Sequence, residues 1–207
     1  MIYLDNSATT YPKPEPVRRA VADAMVRFGA NPGRAGHRMA MQTSEAVFRA
    51  RETAAQFFHT DVETVIFTPG CTQAINQALK GYLHSGDHAV ISCLEHNAVY
   101  RSITAMQADG VSRVFPGDDD RTLESFASCI KSNTRLLVCT QASNVFGIRL
   151  PVERLAALAH EHGAAMLVDA AQSAGVVDID LSRTPIDFLC CAGHKGLYGP
   201  MGTGLLI

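Results

Sequence analysis

Three short segments of this chain carry residue types that could act on one ligand. Gly193-His194-Lys195-Gly196 comes directly after the apolar run Phe188-Ala192. A partly buried lysine there has a lowered amine pKa and serves as a nucleophile, and the glycines around it let a ligand approach the backbone. Asp169 closes the run Met166-Leu167-Val168, where a partly desolvated carboxylate needs a cationic or hydrogen-bonding partner. Thr68-Pro69-Gly70-Cys71-Thr72-Gln73 leads into an Ala-rich stretch. A Gly-rich turn at a helix N-terminus offers backbone N–H groups and the positive dipole end to a phosphate, with the Thr72 hydroxyl as a further donor. Each segment alone also has a plainer reading: Thr72 as an N-cap, Asp169 as an N-cap of the next segment, Lys195 as a solvated loop lysine. Together they offer a Schiff-base lysine, an acid for a pyridine nitrogen and a phosphate cradle, the three parts of a pyridoxal phosphate site. The acid keeps the ring nitrogen protonated, so the ring accepts electrons when a bond at the substrate α-carbon breaks.

The elements that must position these residues alternate in type. Val65-Thr68, His88-Cys93, Val111-Phe115, Leu136-Thr140, Ala165-Asp169 and Phe188-Ala192 are short and apolar or β-branched. Between them lie Thr72-Leu83, Ala98-Ala108, Leu123-Ile130 and Val152-His162, with apolar positions at helical spacing, as in Leu155, Leu158 and Ala159. That alternation predicts parallel βαβ units, an α/β layer structure with helices covering a mostly parallel sheet. A helical lead-in precedes it, Pro14-Phe28 and Met39-Phe58, split by the breaker cluster Gly29-Ala30-Asn31-Pro32-Gly33. Ligands gather beyond the carboxyl ends of such strands. Polar clusters stand after five of the six runs: Gly70-Gln73, Glu95-His96-Asn97, Ser143-Asn144, Asp169-Gln172 and Gly193-Gly196.

The 207 residues are 47% hydrophobic and 18% charged with a net charge of −2. Apolar content at that level excludes intrinsic disorder, and a balanced charge without a basic run argues against nucleic acid or an anionic membrane as partner. The six cysteines form no C-x-x-C pair, so no metal site is expected, and free thiols point to a reducing, cytoplasmic compartment. The start Met1-Ile2-Tyr3-Leu4-Asp5 lacks a basic region and a long apolar core, so neither a signal peptide nor a membrane span is expected. The closing run Gly204-Leu205-Leu206-Ile207 has no cap, turn or polar tail after it, and reads as a piece of something longer.

Asp5-Asn6-Ser7-Ala8-Thr9-Thr10, Asn31-Pro32-Gly33, Gly70-Cys71-Thr72-Gln73-Ala74-Ile75-Asn76, Glu95-His96-Asn97, Asp169-Ala170-Ala171-Gln172 and Gly193-His194-Lys195-Gly196-Leu197-Tyr198-Gly199-Pro200 resemble the signature segments of the cysteine desulfurases. Those belong to the class V aminotransferase group of fold-type I pyridoxal phosphate enzymes. The resemblance runs from residue 2 to residue 207. It implies a three-layer αβα large domain with a mostly parallel sheet, occupying 1–207 and incomplete, with a small C-terminal domain absent. It implies Lys195 for the Schiff base and proton transfer, Asp169 for the pyridine nitrogen and Gln172 for the ring hydroxyl. His96 would stack on the ring and assist proton transfer, though without the resemblance it reads as a helix-start or turn histidine. Cys71, Thr72 and His194 would hold the phosphate. Asn144 would sit near the ring hydroxyl and the substrate carboxylate, although its Asn-x-x-Gly context also suits a plain turn. Asn6, Ser7 and Ala8 would line the substrate pocket.

The implied reaction takes L-cysteine to L-alanine, with sulfur passed to an enzyme thiol as a persulfide and onward toward iron–sulfur cluster assembly. The resemblance further implies a homodimer and a sulfur-acceptor protein. Selenocysteine lyases and other class V enzymes, aminotransferases among them, share these segments, and a catalytically incomplete fragment is a further reading. Two positions depart from the family pattern: Ala192 stands where a hydroxyl residue is common, and Cys71 where threonine is frequent. Each loses or weakens a hydrogen bond worth about 1.5–3 kcal/mol to a charged acceptor. None of the six cysteines falls where the family has its nucleophile. Cys93, Cys139, Cys190 and Cys191 read as strand packing and Cys129 as a helix residue.

Overall fold

The inner apolar runs form strands buried on both faces, the runs at the two sheet edges stay partly exposed, and the alternation of side chains across the sheet decides which layer each residue joins. The computed structural model describes residues 2–33, 36–106 and 111–207. Two helices lead in, α1 (Glu15–Arg27) and α2 (Arg38–Phe58). The rest alternates: β1 (Ile66–Thr68), α3 (Cys71–Tyr82), β2 (His88–Ser92), α4 (Asn97–Ala105), β3 (Val111–Val114), α5 (Asp119–Cys129), β4 (Thr134–Thr140), α6 (Val152–Glu161), β5 (Ala165–Asp169), β6 (Phe188–Ala192) and β7 (Gly204–Leu206). The far end of the helix expected over Ala98-Ala108 reaches beyond the described residues.

The strands form one seven-stranded sheet in the order β1-β7-β6-β5-β4-β2-β3. Strands β3, β2, β4, β5 and β6 pair in parallel. Only β7 runs the other way, antiparallel to both β6 and β1, with Leu206 opposite Cys190 and Ile66. The closing apolar run is thus an inner strand of the sheet, and burial on both sides accounts for its lack of polar residues.

The pleat sorts the core into two layers. Leu136 and Val138 of β4, Ala165 and Leu167 of β5, and Cys190 and Ala192 of β6 pack with α3 and α4. Leu137 and Cys139, Met166 and Val168, and Leu189 and Cys191 pack on the opposite face with α2, α5 and α6. This is the αβα sandwich expected from the pattern, with one parallel block as its centre. Adjacent Cys190 and Cys191 therefore point into different layers. Burial pushes both thiols up, as it does Cys139. Cys93 corrects the strand-packing reading, because it lies one residue past β2 and is exposed. No described helix is long and apolar enough to cross a membrane.

At the opposite edge of the sheet from the strand carboxyl ends, His88 joins three strands. Its Nδ1 lies 2.7 Å from Thr134 Oγ1 on β4 and its Nε2 3.0 Å from Ser112 Oγ on β3. Burial, reinforced by Lys131, holds this imidazole below its ordinary pKa. The folded state therefore favours neutral His88, and this contribution to stability is present at neutral pH and lost as pH falls below the unfolded histidine value. As pH drops from about 7.5 to 5.5, the wild type is expected to lose resistance to urea relative to His88→Asn. Equal pH slopes for the two proteins would show that His88 does not titrate with folding.

Candidate active site

Because the parallel strands all end on one edge, the loops after β1, β2, β4, β5 and β6 meet around a single cavity of about 1040 Å³. Its first wall is the start of α3. Gly70 is the N-cap and has no side chain to satisfy the helix, and the first intrahelical bond runs from Ala74 N–H to Gly70 O at 3.2 Å. The amides of Cys71, Thr72 and Gln73 have no acceptor among the described residues, so three donors and the helix dipole open into the cavity. Thr72 is not the cap: it sits inside the first turn and lines the cavity.

Asp169 ends β5 at only 3% exposure. Its Oδ1 accepts from Ala171 N–H at 2.9 Å and from the Cys71 thiol at 3.3 Å. No cation lies within ion-pairing reach of it among the described residues. A buried carboxylate with two donors and no counter-charge suits a cationic N–H supplied by a ligand. The Cys71 thiol also lies 3.3 Å from the Cys190 carbonyl. Burial and then Asp169 push it well up. What Cys71 offers an anion is its amide, since its thiol is taken up by Asp169.

Lys195 comes after β6 and lines the same cavity, its amine without a hydrogen bond among the described residues. The glycines beside it have a different role from the one expected. A Cβ at Gly196 would stand 2.4 Å from Ala174 O, and one at Gly193 2.3 Å from Thr203 Oγ1. Both sites admit close passage of neighbouring chain rather than of a ligand. His194 Nδ1 is buried with no partner among the described residues, and burial, then Lys195 and Lys13, hold its imidazole below the ordinary value.

His96 serves locally as the N-cap of α4 and also lines the cavity. Its Nδ1 accepts from Ala98 N–H at 3.1 Å, which in the neutral ring assigns the proton to Nε2. Gln172 lines the cavity and donates from Nε2 to Ser7 O at 3.0 Å, drawing Ser7 and Ala8 to the rim. Asn144 is present as well, carried on the turn that Gly147 closes at φ +65°. Asn6 is the one proposed site residue that does not line the cavity: its Oδ1 accepts from Tyr11 N–H at 3.2 Å and shapes its own turn.

The linear pattern gives no role to Glu95, although it stands beside His96. Its Oε1 accepts from Ser92 Oγ at 2.5 Å and from Thr140 N–H at 2.7 Å, tying the ends of β2 and β4 together. Its Oε2 is buried without a partner among the described residues. Burial raises this carboxyl to about 8, with Asp169 adding to the rise and the two hydrogen bonds opposing it. Lys13 carries no sequence signal, and Thr10 none beyond its place in the segment Asp5–Thr10, because their partners lie far along the chain at His194 and Lys195.

Residues 2–207 match the aminotransferase class-V family. The chain is 33% identical over 209 residues to a probable cysteine desulfurase of Methanothermobacter thermautotrophicus, covering 99% of this chain and 52% of that protein. It is 32% identical over 212 residues to the cysteine desulfurase IscS of Methylococcus capsulatus, with the same coverage of 99% and 52%. Among solved structures, the apo cysteine desulfurase from Thermococcus onnurineus superposes with a TM-score of 0.89 at 30% identity, over 99% of this chain and 52% of that one. SspA in complex with cysteine superposes at 0.88 with 28% identity, over 100% and 60%. The chain spans about half the length of the curated relatives it matches.

Glu95 generates a pH test. Between the ordinary carboxylate range and about 8, the unfolded chain ionises this group while the folded protein keeps it protonated. Folding then takes up a proton, and stability falls as pH rises through that window. Glu95→Gln, a neutral isostere, should match the wild type near pH 5 and exceed it by a few kcal/mol, as an order of magnitude, near pH 8.5. Denaturant titrations across that range measure the gap; a gap independent of pH would refute the assignment.

Proposed function

Given that the chain belongs to the aminotransferase class-V family, we propose that it is the cofactor-binding half of a pyridoxal phosphate enzyme that acts on L-cysteine. The observation that carries the reading is the meeting of an uncapped helix start, a buried carboxylate without a counter-charge and an unpartnered lysine around one cavity. Those residues fit the cofactor. The amides of Cys71, Thr72 and Gln73, with the Thr72 hydroxyl, would take its phosphate, and the orphaned Nδ1 of His194 is a further polar group for that end. Asp169 would accept the pyridinium N–H, and Gln172 and Asn144 would reach the ring hydroxyl. When bound, the cofactor supplies an electron sink for bond changes at the substrate α-carbon.

The chain's own side chains do the rest. Lys195 would hold the cofactor through its carbonyl carbon and move the α-proton, its amine having no hydrogen bond among the described residues. His96, its ring oriented by the Ala98 cap, would cover one ring face and offer Nε2–H for proton transfer. Ser7 and Ala8 would form the substrate rim. In the proposed reaction the C–S bond of cysteine breaks, the sulfur atom joins an enzyme thiol as a persulfide, and a proton replaces it at the β-carbon to give alanine. No thiol at the cavity suits that attack. Cys71 lies against Asp169 with a raised pKa, and Cys139, Cys190 and Cys191 are packed in the layers. Cys93 is exposed and Cys129 half-buried, and neither lines the cavity, so the proposal draws the accepting thiol from outside these residues. A small C-terminal domain, a homodimer, a separate sulfur acceptor and a cytoplasmic setting complete the proposal.

The similarity to cysteine desulfurases favours cysteine over the other class V substrates. The full-length protein should take up pyridoxal phosphate with a visible absorbance band that borohydride reduction fixes on Lys195. Lys195→Ala should lose the band and at least about 1000-fold of turnover. Alanine and protein persulfide should form from cysteine in equal amounts. Amino transfer to a keto acid, or turnover of selenocysteine alone, would replace the desulfurase reading with another class V activity. A full-length protein without the band would overturn the cofactor itself.

A further inference from the structure

Residues 9–13 reach across the chain to the loop that carries Lys195, and their contacts converge on two peptide groups. The His194 carbonyl faces Thr9 Oγ1 at 3.0 Å, Thr10 N–H at 3.1 Å, Thr10 Oγ1 at 3.1 Å and Lys13 Nζ at 2.7 Å. The Lys195 carbonyl lies 3.1 Å from the same Thr10 Oγ1, which shares its one proton between the two oxygens. Lys13 Nζ donates to that hydroxyl at 2.7 Å, so Thr10 is oriented as a donor toward both carbonyls. Tyr198 N–H adds a bond to Lys195 O at 2.8 Å.

A peptide unit is planar, so holding the His194 oxygen holds the N–H and α-carbon of Lys195 as well. Holding the Lys195 oxygen fixes the plane on the other side. Both backbone torsions of Lys195, and with them the direction of its Cα–Cβ bond, are then set by a segment at the other end of the chain. We propose that Lys13 is a positioning residue for Lys195: its ammonium, with Thr10, locks the two peptide planes that aim the Lys195 amine into the cavity.

Four observations favour this over a direct role. Lys13 is absent from the cavity wall, so it does not touch a ligand there. Its bonds end on a carbonyl and on a hydroxyl that itself points to carbonyls. A carbonyl with four donors around it exceeds what loop closure requires, and the charged donor forms the shortest of the contacts, as charge-assisted bonds do. Partial burial lowers the Lys13 amine from its ordinary value, in keeping with an ammonium set between protein groups rather than in open solvent.

The inference rests on Lys195 being the residue that receives the cofactor, and the test keeps the two apart. The cofactor-free full-length protein is mixed with pyridoxal 5′-phosphate, reduced with borohydride at timed intervals, and the label on Lys195 is measured by peptide mass mapping. Lys13→Met keeps the aliphatic stem and removes the charge; it should label Lys195 about tenfold more slowly at an unfolding temperature close to wild type. Lys13→Arg restores a permanent cation and should recover the rate to within about threefold. Thr10→Val should slow labelling in the same direction, and decides the matter should Lys13→Met not fold. Wild-type labelling rates in Lys13→Met and Thr10→Val would overturn this inference alone. Failure of the wild type to label at Lys195 would overturn the functional reading instead.

Discussion

A carboxylate buried at the end of an inner strand, with two hydrogen-bond donors and no cation among the described residues, is the constraint around which this protein is arranged. Asp169 ends β5, between β4 and β6, opposite Thr140 and Cys190, and is almost fully buried. Its neighbours have adjusted to that charge. The Cys71 thiol turns toward it as a donor, and Cys71, Cys139, Cys190 and Cys191 all have their thiols held protonated by burial and by this anion. Glu95, at the end of β2 beyond β4, stays neutral through the middle of the pH range for the same two reasons. A buried carboxylate without a counter-charge among the described residues and an open α3 terminus at the same cavity suit a ligand that carries both a cationic N–H and an anion.

The sheet supplies the geometry. Parallel pairing brings the ends of β2, β4, β5 and β6 to one edge, and β1 reaches it because antiparallel β7 lies between β1 and β6. Two helical layers then close both faces, leaving that edge as the place where loops can converge without disturbing the core. The N-terminal segment completes the rim. It is tied to Gln172 through Ser7 and to the lysine loop through Thr9, Thr10 and Lys13. Residues distant in the chain thereby become parts of one wall.

Several of the residues in that wall have a local partner and also line the cavity, which is why the sequence alone leaves both a local and a ligand-binding reading open for them. His96 is a helix cap and a cavity residue at once, because the first turn of α4 begins at the rim. Asp169 caps its own turn through Ala171 and still leaves an oxygen for a ligand. Asn144 is on a turn closed by a glycine at positive φ, and the turn is what brings it to the cavity. At these positions the local bond orients the side chain that a ligand would meet, so the two readings do not compete.

The sequence by itself determined the order and type of the elements from β1 to β6, the cover of helices over the sheet, and Lys195, Asp169 and the Gly70 turn as groups placed at or directly after strand ends, which the fold brings to one cavity. Those are properties of local periodicity and of residues lying directly after strands, which a linear pattern carries. Only the tertiary structure decided the antiparallel insertion of β7, since a short apolar run specifies burial but not direction. It also decided that Gly193 and Gly196 serve chain packing, that the Cys71 thiol belongs to Asp169, that Asn6 turns away from the rim, and that Glu95 and Lys13 matter at all. Each of these depends on a partner far away in the chain or on a loop shape that such partners set. A contact of that kind leaves no periodic trace in the sequence, because it exists only once the sheet has brought its strand ends together.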